Sequence, residues 1–261
     1  MGSAAVLIGS RMKAATPACT LTAEQEVGPY YVDYEKVRQE ITEGHPGLPV
    51  RLQIALVDSK SCAPVPNAAL DIWHCDAAGV YSGFTGNSPD GPGGGFPRRG
   101  RGGPGGPPPM RQTDATRFLR GVQITDKKGF VEFATLYPGW YSGRAIHIHM
   151  KVHLGGHDVD GTYAGGHVSH TGQLFFPEEI TGQVAKMSPY VKRANVHRTT
   201  QAEDGIFNSQ QGAASMVKLE RLRSSTNDEG FLATVTLAVD PEATPAPVGF
   251  GRGPRGGFPD R

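Results

Sequence analysis

RAIHIHMKVHL, residues 144–154, is the stretch on which the reading of this chain turns. Successive side chains of a strand point to opposite faces, so Ile146, Ile148, Met150, Val152 and Leu154 share one face while His147, His149, Lys151 and His153 share the other. The apolar set must face a core. Two imidazoles two residues apart then project together from a rigid strand, which is one way a scaffold offers two nitrogens to one metal. A His-x-His pair taken alone more often decorates a solvent-facing strand, so its surroundings have to decide.

Directly upstream runs LYPGWYSG, where Pro138-Gly139 predicts a turn that aims Trp140 and Tyr141 back towards the histidines. A second tyrosine, Tyr81, follows the strand signal of ALDIWHCDAAG, which Ala78-Gly79 breaks just before it. Working outward, strand patterns recur at 50–57, 68–73, 117–125, 129–137, 172–176 and 231–239, separated by turn residues. Helical pattern is scarce, with one short candidate from Pro177 to about Met187, ahead of Pro189. The predicted fold class is all-β: a β-sandwich core with long loops and one or two short helices.

Composition narrows what such a sandwich does. The length of 261 residues fits one domain over 19–240, with 1–18 reading as a leader or an appended remnant and 241–261 as a flexible tail. Residues 86–111 and the tail are rich in glycine, proline and arginine, too poor in apolar surface to offset chain entropy, and read as flexible. The 86–111 stretch is expected to be an inert loop rather than a lid. Lysine and arginine total 26 against 25 acidic residues, a net charge of +1, which offers no field for nucleic acid or an anionic membrane and favours a small-molecule partner. No apolar run approaches the roughly 18 residues of a spanning helix. Cys19, Cys62 and Cys75 lack zinc-knuckle spacing and allow one disulfide with one free thiol. A bond from Cys19 to either of the others is geometrically easier than one between Cys62 and Cys75.

Four segments now coincide: EVGPYYVD (26–33), DIWHCDAAGVYSG (71–83), the run 118–152 that contains LYPGWYSGRAIHIH, and GQLFF (172–176). In that order they resemble the intradiol ring-cleavage dioxygenases, the group containing protocatechuate 3,4-dioxygenase and catechol 1,2-dioxygenase, over most of residues 20–190. The resemblance implies a non-haem Fe(III) enzyme that cleaves catechol-type aromatics between the two hydroxyls with O2, giving cis,cis-muconate-type diacids. It implies the metal ligands Tyr81, Tyr141, His147 and His149, with Tyr81 remaining on iron and Tyr141 leaving when substrate binds. By the same carry-over Arg144 steadies negative charge on the bound ring and Gln173 lines the pocket. Phenolate is a hard anionic donor, so two of them suit Fe(III) over Fe(II).

Only Ser142 and Gly143 separate Tyr141 from Arg144, a shorter link than in the best-known cytosolic members, which predicts a shallower, more open site. The helical region that precedes the catalytic domain of catechol 1,2-dioxygenases has no counterpart, so a monomer is expected. Compact relatives with cysteines near GPYY and WHC resemble exported proteins, which points to a secreted or periplasmic location over a cytoplasmic one. His74, His153, His157, His167 and His170 read as surface or supporting residues, and Trp73 and Trp140 as packing. Two rival readings are a zinc hydrolase or lyase built on the His-x-His pair, and a secreted β-sandwich binding module without chemistry. The first leaves both tyrosines unexplained, and the second leaves Arg144 and the histidine pair unexplained.

Overall fold

The computed structural model describes residues 19–33, 36–90, 109–222 and 230–249. The expected leader, most of the glycine-rich 86–111 stretch and the end of the tail lie outside the described residues.

Most of the strands form where β-branched and aromatic residues alternate or run together. They are β1 (Pro49–Asp58), β2 (Ala69–Trp73), β3 (Arg120–Ile124), β4 (Phe130–Leu136), β5 (His147–Val159), β6 (Thr162–Phe175), β7 (Lys218–Leu222) and β8 (Gly230–Val239). Two four-stranded sheets result, in the orders β4-β1-β8-β7 and β3-β2-β5-β6. Pairing is antiparallel except between β1 and β8, which run parallel. The sheets bury one face each against the other: Leu52, Ile54, Leu56, Phe133, Phe231 and Leu237 from one meet Leu70, Ile72, Ile148, Met150, Val152 and Leu174 from the other. The helices are short, α1 (Glu178–Val184) and α2 (Gly205–Ser209), as the all-β expectation required. Among the described residues no helix is long and apolar enough to cross a membrane.

Departures from the predicted elements have local causes. Strand β5 begins at His147, not 144, and continues to Val159, while β6 starts at Thr162 and not near 172. The two form one long hairpin closed by Asp160-Gly161, both with positive φ (52° and 80°), the dipeptide that suits a two-residue turn. Glycines 155, 156, 165 and 166 lie between the 144–154 and 172–176 strand patterns and carry no side chain to extend either alternation. They instead let the two backbones approach: a Cβ on Gly166 would lie 2.2 Å from the Leu154 carbonyl oxygen. Strand β7, KLERL, was not anticipated because its charges mask any alternation, and charges of that kind blunt an edge strand against stray pairing.

A disulfide joins Cys19 to Cys62, one of the pairings the sequence left open, and Cys75 is free and buried.

Candidate active site

The apolar face of β5 does enter the core, as the alternation predicted. Its histidine face is not solvent-facing. In the second sheet the register aligns Arg120, Trp73, His149 and Gln173 as cross-strand neighbours on β3, β2, β5 and β6. This row forms a floor. Segment 24–33 covers it: the Gln25 carboxamide oxygen accepts from the Gln173 backbone N–H (2.6 Å), and the Glu26 carbonyl accepts from Gln173 Nε2 (2.9 Å). Tyr30 stacks on Tyr81 with centroids 4.6 Å apart, and Tyr31 tilts against Trp73.

Between floor and cover four donor atoms meet. Tyr81 Oη lies 3.3 Å from Tyr141 Oη, which lies 3.2 Å from His147 Nε2, which in turn lies 3.0 Å from His149 Nε2. Each is placed by its own local device. Gly79, with φ of 76°, stands where a Cβ would sit 2.5 Å from the Trp140 carbonyl oxygen, so the Tyr81 loop can lie directly against the Tyr141 turn. Arg120 then holds that loop through the Ser82 carbonyl (2.9 Å) and hydroxyl (2.8 Å). The His147 Nδ1–H donates to the Ala145 carbonyl (2.6 Å), which leaves the Nε2 lone pair facing inward. His149 is sandwiched between Trp73, stacked at 5.1 Å and 3°, and Gly28, where a Cβ would meet His149 Cε1 at 2.9 Å.

Arg144 stands beside this quartet. Strand alternation would put it with the apolar set, but residues 144–146 precede the strand, and Gly143 (φ 96°) turns it towards the site. Its Nε donates to both oxygens of Asp204 (3.1 and 3.2 Å), Nη2 donates to Gln173 Oε1, and Nη1 is 3.7 Å from Glu26 Oε1. Asp204 also accepts from the Ala145 N–H (2.9 Å) and caps α2 through the Ile206 N–H (2.8 Å). Asp204, Glu26 and Gln210, whose carboxamide oxygen accepts from the Glu26 N–H, were missed in the sequence. An Asp ahead of the short GIFN turn carried a helix-cap signal, whereas Glu26 only opened the EVGPYYVD segment with no role given to it and nothing local marked Gln210.

The electrostatics follow from burial. None of Tyr81, Tyr141, Arg144, His147, His149 and Gln173 is more than 6% exposed. The expected shallow, open site is therefore not what forms: the wall that the short Ser142-Gly143 link lacks is supplied by segment 26–31. Burial pushes both phenols well up and both imidazoles well down, the latter reinforced by Arg144 and, at His149, by His147. Arg144 is raised: burial alone would lower it, but Asp204, Tyr141 and Glu26 outweigh that. Glu26 is pushed up to about 7 by burial, which the Arg144 charge offsets only in part.

The donor set fits a metal ion. Ligands about 2.0–2.1 Å from a common ion, at angles near 90–110°, lie roughly 3 Å apart, and the three separations in the quartet match that. Neutral imidazoles are ready to coordinate, and a central cation would reverse the upward push on the phenols. Among the described residues no three His, Cys, Asp or Glu side chains cluster as a metal cage. A zinc centre with a third histidine thus has no third ligand, and the quartet exists only when both tyrosines are counted.

The remaining histidines divide. His74 is buried, bonded to the Cys75 carbonyl (2.8 Å) and Thr135 Oγ1 (2.7 Å), and His170 is buried against the Glu24 carboxylate, so these two are interior rather than surface residues. Trp140 packs as expected, its Nε1–H bonded to the Val196 carbonyl (3.1 Å).

Among solved structures the chain is similar to an intradiol ring-cleavage dioxygenase from Tetranychus urticae, at 32% identity over 87% of this chain and 98% of that one, with a TM-score of 0.70. It shares the fold of the dioxygenase domain of a dioxygenase carbohydrate-binding protein fusion from Streptomyces sp. SirexAA-E (23% identity, 84% and 98% covered, TM-score 0.51). It also shares the fold of catechol 1,2-dioxygenase from Pseudomonas arvilla C-1 (16% identity, 83% and 61% covered, TM-score 0.51). No protein-family model and no curated protein matches.

Proposed function

The chain belongs to the intradiol ring-cleavage dioxygenases and is an oxidoreductase, and from that membership we propose that Tyr81, Tyr141, His147 and His149 hold Fe(III) at which catechol-type rings are opened with O2 to muconate-type diacids. The observation that carries the reading is the convergence of two phenol oxygens and two imidazole nitrogens at neighbour separations of 3.0–3.3 Å. A binding module without chemistry has no use for that convergence.

When bound, ferric iron would supply a Lewis acid and electron acceptor that activates a chelated catecholate ring towards O2. The chain's own residues do the rest. Tyr141, at the end of a turn rather than on a strand, can leave the cluster and accept a catechol proton at Oη, while Tyr81, locked by Arg120 and Tyr30, stays. Arg144 presents a guanidinium that cannot lose its proton to charge building on the ring, held at fixed angle by Asp204 and Gln173. The buried rings of Tyr30 and Trp73 keep water away.

Iron-loaded protein should absorb visible light through its tyrosinates and convert catechol with one O2 consumed per diacid. Tyr81→Phe and His149→Ala should lose iron. Arg144→Met should keep iron and the colour while turnover falls about a hundredfold. Full iron occupancy in both ligand variants would refute the assignment.

We also propose export to an oxidising compartment. The Cys19–Cys62 bond supports it, since such bonds persist outside the reducing cytoplasm. Recovery of the native chain with both thiols reduced would count against it.

A further inference from the structure

Glu26 is a buried acid that the ring-opening reading leaves unused. It is 1% exposed, its Oε1 stands 3.7 Å from Arg144 Nη1, and its Oε2 has no hydrogen-bond partner. Its backbone is pinned, with the N–H bonded to Gln210 Oε1 (2.9 Å) and the carbonyl to Gln173 Nε2 (2.9 Å). Two residues on, Gly28 touches the His149 ring. The carboxyl therefore stands beside the Arg144 guanidinium, on the segment that lies against the His149 ring.

Charge around Arg144 is already balanced. Its Nε edge is filled by the Asp204 carboxylate and its Nη2 by Gln173, so Glu26 is a surplus acid beside one guanidinium. A substrate carboxylate would become the third acid competing for a cation whose bidentate edge is taken, in a site too dry to screen the repulsion. A donor would instead satisfy the orphan oxygen, whose lack of a partner in a buried site is unfavourable.

We propose that Glu26 is a specificity-determining residue that makes this site favour catechols carrying neutral or ammonium substituents over catechol carboxylates. The inference rests on the reading that the site binds catechols. Its selectivity works by exclusion as much as by attraction. The upward push on the Glu26 carboxyl, to about 7, adds a pH signature, because the excluding charge is complete only above that value.

The test compares 4-methylcatechol, 3,4-dihydroxybenzylamine and 3,4-dihydroxybenzoate as substrates of the iron-loaded full chain. At pH 8 the benzoate should have a kcat/KM at least tenfold below the other two, and E26Q should narrow the amine-to-benzoate ratio tenfold or more. A purely structural role for Glu26 would lower all three together and leave the ratio alone. Equal use of benzoate and methylcatechol by the wild type overturns the proposal, as does an E26Q ratio within twofold of the wild type. Should E26Q not fold, the wild-type amine-to-benzoate ratio at pH 6 and pH 8 decides: a larger ratio at pH 8 supports the proposal and a constant one overturns it. If iron-loaded protein turns over none of the three, the catechol reading itself fails and the preference falls with it.

Discussion

Replacing Asp204 should damage this protein more than replacing any residue that the sequence motifs point to. One buried carboxylate does three jobs: it accepts from Arg144 Nε (3.1 and 3.2 Å), from the Ala145 N–H (2.9 Å), and from the Ile206 N–H (2.8 Å) at the start of α2. In Asp204→Ala the lost cap costs about 1 kcal/mol, and leaving the buried Arg144 guanidinium with only Glu26 beside it, 3.7 Å away, costs roughly 3 kcal/mol, the low end for a broken buried pair. Together these give an expected loss of about 4 kcal/mol, or about 10 °C in Tm for a domain of this size. Asp204→Asn keeps an acceptor for the cap but no charge and should lose about half as much. Pairing Asp204→Ala with Arg144→Met removes the stranded cation and should recover about 2 kcal/mol. There is a pH counterpart. Arg144 and the backbone donors hold the Asp204 carboxyl below its usual range in spite of burial, so its contribution is present above the ordinary carboxylate range and is lost as pH falls through the folded value. Urea denaturation of the four proteins measures all of this. A loss under 1 kcal/mol in Asp204→Ala, or a double variant no more stable than the single one, would refute the reasoning.

Gly28→Ala forces a Cβ to 2.9 Å from His149 Cε1 on a residue whose φ is 71°. It should cost about 1–2 kcal/mol from the left-handed backbone alone and shift the visible band of the iron-loaded protein, whereas an unchanged spectrum would remove Gly28 from the support of His149. His74 is held down to about 4 by burial, below its ordinary 6.5, so the folded state binds fewer protons than the unfolded chain between those values. Stability should therefore rise with pH across that window by up to about 1.4 kcal/mol per pH unit, and denaturation midpoints of His74→Gln should show a flatter slope than the wild type. Reducing the Cys19–Cys62 bond opens a loop with a sequence separation of 43 residues, which on chain-entropy grounds costs about 4 kcal/mol; an unchanged midpoint in reductant would show that segment 19–62 is held by its other contacts.

Where the sequence was readable, a short period was at work. Two-residue alternation in 144–154 placed Ile148, Met150 and Val152 in the core and His147 with His149 opposite, and both faces are as read. The same rule fails at Arg144, because it holds only inside a strand and the bend at Gly143 precedes β5. The Asp160-Gly161 turn was legible in principle, since that dipeptide is a strong two-residue hairpin signal. The four glycines flanking it, two on each side, interrupt the alternation, so the strand pattern reached only the 172–176 end of β6.

The proposed site was legible only as far as its candidate ligands are recognisable residue types in order. Tyr81, Tyr141, His147 and His149 come from two separate stretches, 71–83 and 118–152, yet each is announced locally by a turn or a strand. What surrounds them is assembled by register and by distant chain: Trp73 and Gln173 reach His149 because β2, β5 and β6 align them as neighbours, and Asp204 reaches Arg144 across 60 residues of sequence. No period or short motif encodes such contacts. This is also why the expectation of an open site failed: it was inferred from one short link, Ser142-Gly143, while the wall comes from residues 26–31, more than a hundred positions away. Glu26 and Asp204, the two acids beside Arg144, are therefore residues that only the folded chain could bring to the site.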